Sequence, residues 1–194
     1  MPKVLVVAEA KNGEVRKPTL ELLNFARSKD LPVEVVLIGS GVSAQADLLA
    51  GQGASRVYLA DDPSLAIYNT AQYTSLVQDA AVQSGATQIW LTSSEMGRDL
   101  TPRVAARLGV GALSDVTSLE IDGDNITVNR PCMATKLEQK CRFTREGMRV
   151  VSIRAGSYEV QEASPSSAET VTLSIPEGNP NVDVRDIQVE ETDE

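Results

Sequence analysis

From Lys3 to Gly109, short apolar runs alternate with stretches whose apolar residues recur at helical spacing. This alternation constrains the fold more than any other feature, because strand, helix and next strand pack as right-handed βαβ units of a parallel sheet. The strands are read at Lys3–Glu9, Val33–Gly39, Arg56–Leu59 and Thr87–Leu91. A helix follows the first of them, with Pro18 near its start and Thr19, Leu20, Leu22, Leu23, Phe25 and Ala26 on one face. A short helix capped by Ser43 runs to Leu49, before Gly51-Gln52-Gly53. A longer one, capped by Asn69, passes through Tyr73, Leu76, Val77 and Ala80 to Val82 and stops at Gly85. A fourth is expected from Asp99 to Leu108, with Pro102 in its first turn and Gly109 beyond its end. Aromatic residues make up only 4% of the chain, so the core must rest on Val, Leu, Ile and Ala, as in strands buried on both faces. The pattern predicts an α/β fold with a doubly wound, mostly parallel sheet.

After Gly111 the helical spacing stops. Val116–Ile121, Ile126–Val128, Leu137–Phe143 and Val150–Ile153 are strand-like, and Asp122-Gly123-Asp124-Asn125 is a hairpin turn, because Gly and Asn tolerate positive φ. An antiparallel extension of the sheet is expected there. The stretch from Glu162 to Ser167 is rich in Ser and Pro, and the chain finishes on Glu190-Glu191-Thr192-Asp193-Glu194. Residues 1–160 are therefore read as one α/β domain, and 161–194 as a polar, acidic arm or linker.

Composition narrows the function. The net charge of −9 argues against nucleic acid, since phosphate backbones need clustered Lys and Arg. It argues against an anionic membrane surface for the same reason. No apolar run approaches the ~20 residues that span a bilayer. Met1-Pro2-Lys3 passes straight into a strand with no cleavage-site pattern, so a cytoplasmic chain is expected. Cys132 and Cys141, nine residues apart, fit neither a zinc knuckle nor a CxxC redox pair and are read as two reduced thiols. The chain has no histidine, which excludes Ser-His-Asp and Cys-His catalysis and any His-ligated metal held by this chain alone.

Two loops at predicted strand ends bear on ligands. Ala8-Glu9-Ala10-Lys11-Asn12-Gly13 carries a single glycine, so the dinucleotide fingerprint is missing, and no GxxxxGK[ST] occurs. Gly39-Ser40-Gly41 is compatible with a phosphate loop or with a tight turn. Thr92 to Arg103 follows a strand and opens a helix, so backbone N–H groups near Gly97 and Thr101 are free to hold an anion, unless Asp99 or Thr101 caps the helix instead. A nucleotide site gripping AMP or ATP would therefore use Gly39, Gly41, Gly97 and Thr101. Arg98 and Arg103 are candidates for a phosphate, for a partner's carboxylate, or for local balance with Glu95 and Asp99. A hydrolase built on Glu9 or Asp115 has little support, because a lone carboxylate is usually solvated.

The segment Gly97-Arg98-Asp99-Leu100-Thr101-Pro102-Arg103-Val104-Ala105-Ala106-Arg107-Leu108-Gly109 resembles the Gly-x-Asp-Leu-x-Pro-Arg-x-Ala-Ala-x-Leu motif of the electron transfer flavoprotein alpha subunit. Val4–Glu9, Thr19–Leu23, Ser114-Asp115-Val116, Arg130-Pro131, Val150–Glu159, Val182–Arg185 and Val189–Glu191 follow in that family's order. The chain departs from the family at Ala10, where His is common, and at Met133-Ala134-Thr135, where the family has aromatic-Ala-Gly. The family's glycine-rich flavin loops have no counterpart.

The resemblance implies a Rossmann-like domain of the adenine nucleotide alpha hydrolase-like kind, the N-terminal part of an alpha subunit. It implies a scaffold that packs on a beta subunit, in a heterodimer that takes electrons from acyl-CoA-type or other flavin dehydrogenases through FAD. The FAD would be bound by a C-terminal domain, so no cofactor-binding, catalytic or metal-ligating residue is expected in this chain. Arg98, Asp99 and Arg103 are the expected partner-interface residues, with Arg103 either at an interface or bonded within the domain.

Overall fold

The computed structural model describes residues 2–123, 125–164, 166–178 and 182. The chain opens with β1 (Val4–Ala8), buried along its whole length, and a small ribbon of β2 (Ala10–Lys11) and β3 (Glu14–Val15). Then come α1 (Lys17–Ser28), β4 (Val33–Gly39), α2 (Ala46–Gly51), β5 (Arg56–Asp61), α3 (Thr70–Ser84), β6 (Gln88–Thr92) and α4 (Glu95–Leu108). The second half contains β7 (Gly111–Val116), β8 (Ser118–Asp122), β9 (Asn125–Cys132), β10 (Leu137–Arg142), β11 (Arg149–Ile153) and β12 (Glu169–Thr172). Seven strands form one sheet in the order β12-β5-β4-β1-β6-β11-β7, and every neighbouring pair is parallel. Alternate residues of β1 serve two layers, as the two-residue period of a strand requires. Val4, Val6 and Ala8 join Leu22, Leu23 and Phe25 of α1, while Leu5 and Val7 join residues of α3 and α4 such as Leu76 and Leu100.

Asn69 caps α3 as its sequence position implies, its side-chain oxygen accepting the N–H groups of Ala71 and Gln72, and Gly85 ends that helix in the left-handed conformation. Two other helix starts differ from expectation. Ser43 caps nothing with its hydroxyl; residues 43–45 form one 3-10 turn before α2. Helix α4 begins at Glu95 rather than Asp99, because Ser94 is the cap and its Oγ accepts the Gly97 N–H at 3.0 Å. Pro102 consequently lies inside the helix and not in its first turn, where its missing N–H forgoes a bond to the Arg98 carbonyl.

The antiparallel part is a separate three-stranded sheet, β10-β9-β8, and not a meander continued from the parallel one. Val150–Ile153 leaves that expected meander altogether: β11 inserts between β6 and β7 and runs parallel to both. Its Val150, Val151, Ser152 and Ile153 are all buried, the pattern of an interior parallel strand. The antiparallel strands take the place of a crossover helix, and Leu119, Ile126 and Val128 pack into the same core as α1. The β9–β10 register sets Cys132 opposite Leu137 and Cys141 opposite Val128, so the two free thiols lie roughly 13 Å apart along the ribbon, out of disulfide reach.

Residues from 161 onward, expected as an arm, are in part built onto the domain. The Gln161 N–H donates to Asn24 Oδ1 at 2.9 Å and the Ser164 N–H to the Gly51 carbonyl at 2.9 Å. Strand β12 pairs with β5, and Leu173 is buried. The acidic end at 190–194, and Asp183–Arg185 and Val189–Glu191, lie outside the described residues.

Candidate functional site

In an open parallel sheet, ligands and partners meet the carboxyl ends of the strands. At the end of β1 sits Glu9, buried although it is charged. Its N–H donates to Thr19 Oγ1 at 3.0 Å, its Oε2 accepts from Arg16 Nη1 at 3.2 Å, and its Oε1 accepts a short hydrogen bond from the Ser94 hydroxyl. Ser94 thus joins β1 to the start of α4 by giving its proton to Glu9 and its lone pair to Gly97. Burial raises the Glu9 carboxyl above its ordinary value, an effect that the bonds from Ser94 and Arg16 only partly offset. A carboxyl raised on folding binds more protons folded than unfolded. Its ionisation therefore costs stability from the ordinary Glu value near 4.3 upward, through the raised folded value. Glu9→Gln is expected to gain on the wild type in melting temperature as the pH rises from about 4 to 7. Parallel melting curves for the two proteins at all pH values would contradict this.

The Gly39–Gly41 loop is occupied from within. The Gly41 N–H donates to Asp61 Oδ1 at 2.6 Å and the Ser43 N–H to Asp61 Oδ2 at 2.9 Å, so a carboxylate at the end of β5 already sits where an anion would be cradled. Gly97 and Thr101 are turned to packing. A Cβ on Gly97 would stand 1.7 Å from the Thr92 carbonyl oxygen, which makes glycine necessary where α4 crosses the end of β6. Thr101 is fully buried. The four residues named for a nucleotide are therefore not gathered into a cradle of free N–H groups.

Of the partner candidates, Asp99 is tied into the domain. Its Oδ2 accepts from Tyr68 Oη at 2.8 Å and Thr70 Oγ1 at 2.7 Å, and its Oδ1 from Arg103 Nε at 3.0 Å. Burial alone would raise this carboxyl, but the bonds from Thr70, Tyr68 and Arg103 hold it below its ordinary value. Arg103 is thus engaged one helical turn from its partner, with its side chain still more than half exposed. Arg98 is exposed, and no acceptor among the described residues takes its guanidinium.

Asp115 occupies a bulge. Leu113 and Val116 of β7 pair with Val151 and Ile153 of β11, so two residues, Ser114 and Asp115, face the single Ser152. Asp115 takes a φ of 59°, a left-handed conformation that Asp tolerates better than most residues. Its carboxylate meets Arg154 in a two-pronged pair, Nε to Oδ1 at 3.0 Å and Nη2 to Oδ2 at 2.7 Å. That bond, helped by the charges of Arg98 and Arg130, keeps Asp115 ionised below its ordinary value. Beyond Arg154, Gly156 gives its N–H to Glu21 at 2.7 Å, and Tyr158 stacks on Phe25 with ring centres 3.9 Å apart while its Oη accepts from the Leu119 N–H at 3.0 Å. The stretch 154–158 is a clip joining α1, β7 and β8. Among the described residues, Glu9 is bonded by Arg16 and Ser94 and Asp115 by Arg154, and neither is bonded to a second carboxylate.

Sequence reasoning did not find the roles of Asp61, Ser94 and Arg154. Nothing local to Asp61 announces its role, because its partners Gly41 and Ser43 lie 20 and 18 residues earlier. Ser94 carried a usable signal, a Ser directly before Glu95 and the rest of a helical run. Among the described residues no group of three or more His, Cys, Asp or Glu side chains is placed to hold a metal, and no helix is long and apolar enough to cross a membrane.

A parallel seven-stranded sheet clad by helices on both faces, with an antiparallel insert and ligand loops filled by its own side chains, defines a Rossmann-like α/β domain. The chain belongs to the electron transfer flavoprotein family: residues 4–177 match the electron transfer flavoprotein domain. It is similar to the electron transfer flavoprotein subunit alpha of Bacillus subtilis (strain 168), 32% identical over 178 residues that are 89% of this chain and 54% of that protein. It is similar also to the subunit alpha of Megasphaera elsdenii, 32% identical over 87% of this chain and 52% of that one. Protein FixB of Clostridium saccharobutylicum is 33% identical over 80% of this chain and 48% of its own length. The chain spans about half the length of the curated relatives it matches.

Proposed function

We propose that this chain is the scaffold domain of a bacterial, cytoplasmic electron transfer flavoprotein alpha subunit. It packs on the beta subunit in a heterodimer that takes electrons from flavin dehydrogenases, and it performs no catalysis of its own. FAD is held elsewhere in the full assembly. The observation that carries this reading is the occupied carboxyl edge: the N–H groups of Gly41 and Ser43 are satisfied by Asp61, and that of Gly97 by Ser94. A flavin pyrophosphate normally rests on just such groups at a helix terminus, so the residues present do not fit the cofactor.

The purified chain is expected to be colourless after desalting and to show no rise in melting temperature with FAD, AMP or ATP. Stoichiometric flavin absorbance in the desalted protein would overturn the reading. A saturable rise with AMP or ATP would favour a free-standing nucleotide-binding module, gripping its ligand after displacement of Asp61.

A further inference from the structure

Three segments converge on the Asp115 bulge. The Arg154 N–H donates to the Val116 carbonyl at 2.8 Å, which sets β11's exit beside β7. The Thr117 N–H donates to the Asn129 carbonyl at 2.9 Å, which brings Arg130 alongside, two residues past the bulge. The Ser93 N–H donates to the Ile153 carbonyl at 2.7 Å and its Oγ to Ser152 Oγ at 3.0 Å, which places the first turn of α4, and with it Arg98, at the same spot. The charges of Arg154, Arg98 and Arg130 thus all act on one carboxylate, on a chain whose net charge is −9. Arg154 alone is neutralised by the two-pronged pair with Asp115. Arg130 Nε is buried and meets no acceptor among the described residues, and the Arg98 guanidinium has none either. A buried donor without an acceptor costs about 1–3 kcal/mol, more when charged, so an acceptor that reached Arg130 would relieve that cost.

Oxyanions of two kinds suit arginine. Phosphate sites at the carboxyl edge of an α/β sheet draw mainly on backbone N–H groups, and here those of Gly41, Ser43 and Gly97 are taken by the chain's own side chains. What stays open is side-chain guanidinium, which grips a planar carboxylate with two parallel bonds. We infer that Arg98 and Arg130, steadied by the Asp115–Arg154 pair, form a docking site for an acidic side chain of a partner protein. The site deepens the scaffold reading by naming the chemistry that the partner brings, and it rests on that reading for the partner's identity.

The test titrates the 194-residue chain with a hexaglutamate peptide while the arginine side-chain N–H signals are followed by NMR. The Arg98 and Arg130 Nε–H signals are expected to shift saturably, and the affinity to fall about tenfold or more in Arg98→Glu and to fall as salt is raised. Arg98→Lys keeps the charge but loses the fork, and is expected to bind at an intermediate level. Lys11→Glu, on the β2–β3 ribbon, controls for net charge and should leave binding unchanged. Inorganic pyrophosphate at matched ionic strength is expected to leave the same signals in place. Absent peptide shifts, an equal loss in Lys11→Glu, or tighter binding of pyrophosphate would each overturn the inference. A second arm measures binding of a purified beta subunit to wild type and Arg98→Glu. Peptide binding without any beta-subunit binding would overturn the scaffold reading and leave the acidic docking site standing. Beta-subunit binding unchanged by Arg98→Glu would overturn the site as part of that interface.

Discussion

Gly97→Ala is expected to lower the melting temperature of the isolated chain by roughly 9 °C, corresponding to about 3 kcal/mol. The contact that a methyl would make is with backbone and not with a side chain that can swing aside: the Thr92 carbonyl oxygen at 1.7 Å and its carbon at 2.9 Å. Relief requires α4 to move off the end of β6, and that motion would strain the Ser94 hydrogen bonds to Gly97 and Glu9. Gly85→Ala gives the comparison. Gly85 has a φ of 62° but open space where its Cβ would stand, so that variant carries only the left-handed backbone penalty of about 1 kcal/mol. Equal losses in the two variants would show that α4 does not press on β6 in solution as it does here.

Tyr158→Ala is expected to cost a similar amount, about 3 kcal/mol, by removing the ring stacked on Phe25 and leaving the Leu119 N–H without its acceptor. Tyr158→Phe separates the two contributions. It keeps the stack and loses only the hydroxyl acceptor, so about 1 kcal/mol is expected from calorimetry. Because Phe25 also touches Trp90 and lies in the layer that joins α1 to the parallel sheet, the loss belongs to the whole domain and not to a loose end. A loss in Tyr158→Ala no larger than in Tyr158→Phe would mean that the stack contributes nothing.

The parallel core was legible because its signals are local. Val33–Gly39 is apolar but for Glu34, and Asn69 and Gly85 mark α3 by chemistry that acts within a few residues. The errors arose where the deciding partner is distant. Val150–Ile153 reads equally well as an antiparallel or a parallel strand, and only its neighbours Gln88–Thr92 and Gly111–Val116 settle the matter. Strand β12 is short and mostly exposed, with no apolar alternation to announce it. At the candidate site the motif around Gly97 was visible, but its physical meaning was a close approach and not a ligand cradle. The Gly39–Gly41 loop misled for a related reason, since its occupant, Asp61, arrives from the next strand.

The placement of β12 has a consequence for how the domain reaches its native state. Arg56 on β5 bonds Glu169 on β12 across 113 residues of chain, and the intervening polypeptide travels from one side of the sheet to the other to make that pairing. Contacts of such long sequence separation form late, after the loops they close have been ordered at an entropic cost. A nascent chain still short of Glu169 therefore carries β5 as an open margin of a parallel sheet, with unpaired N–H and carbonyl groups that another chain can match. During synthesis this stretch acts as a latch, and until it closes the growing domain is most vulnerable to aggregation along β5.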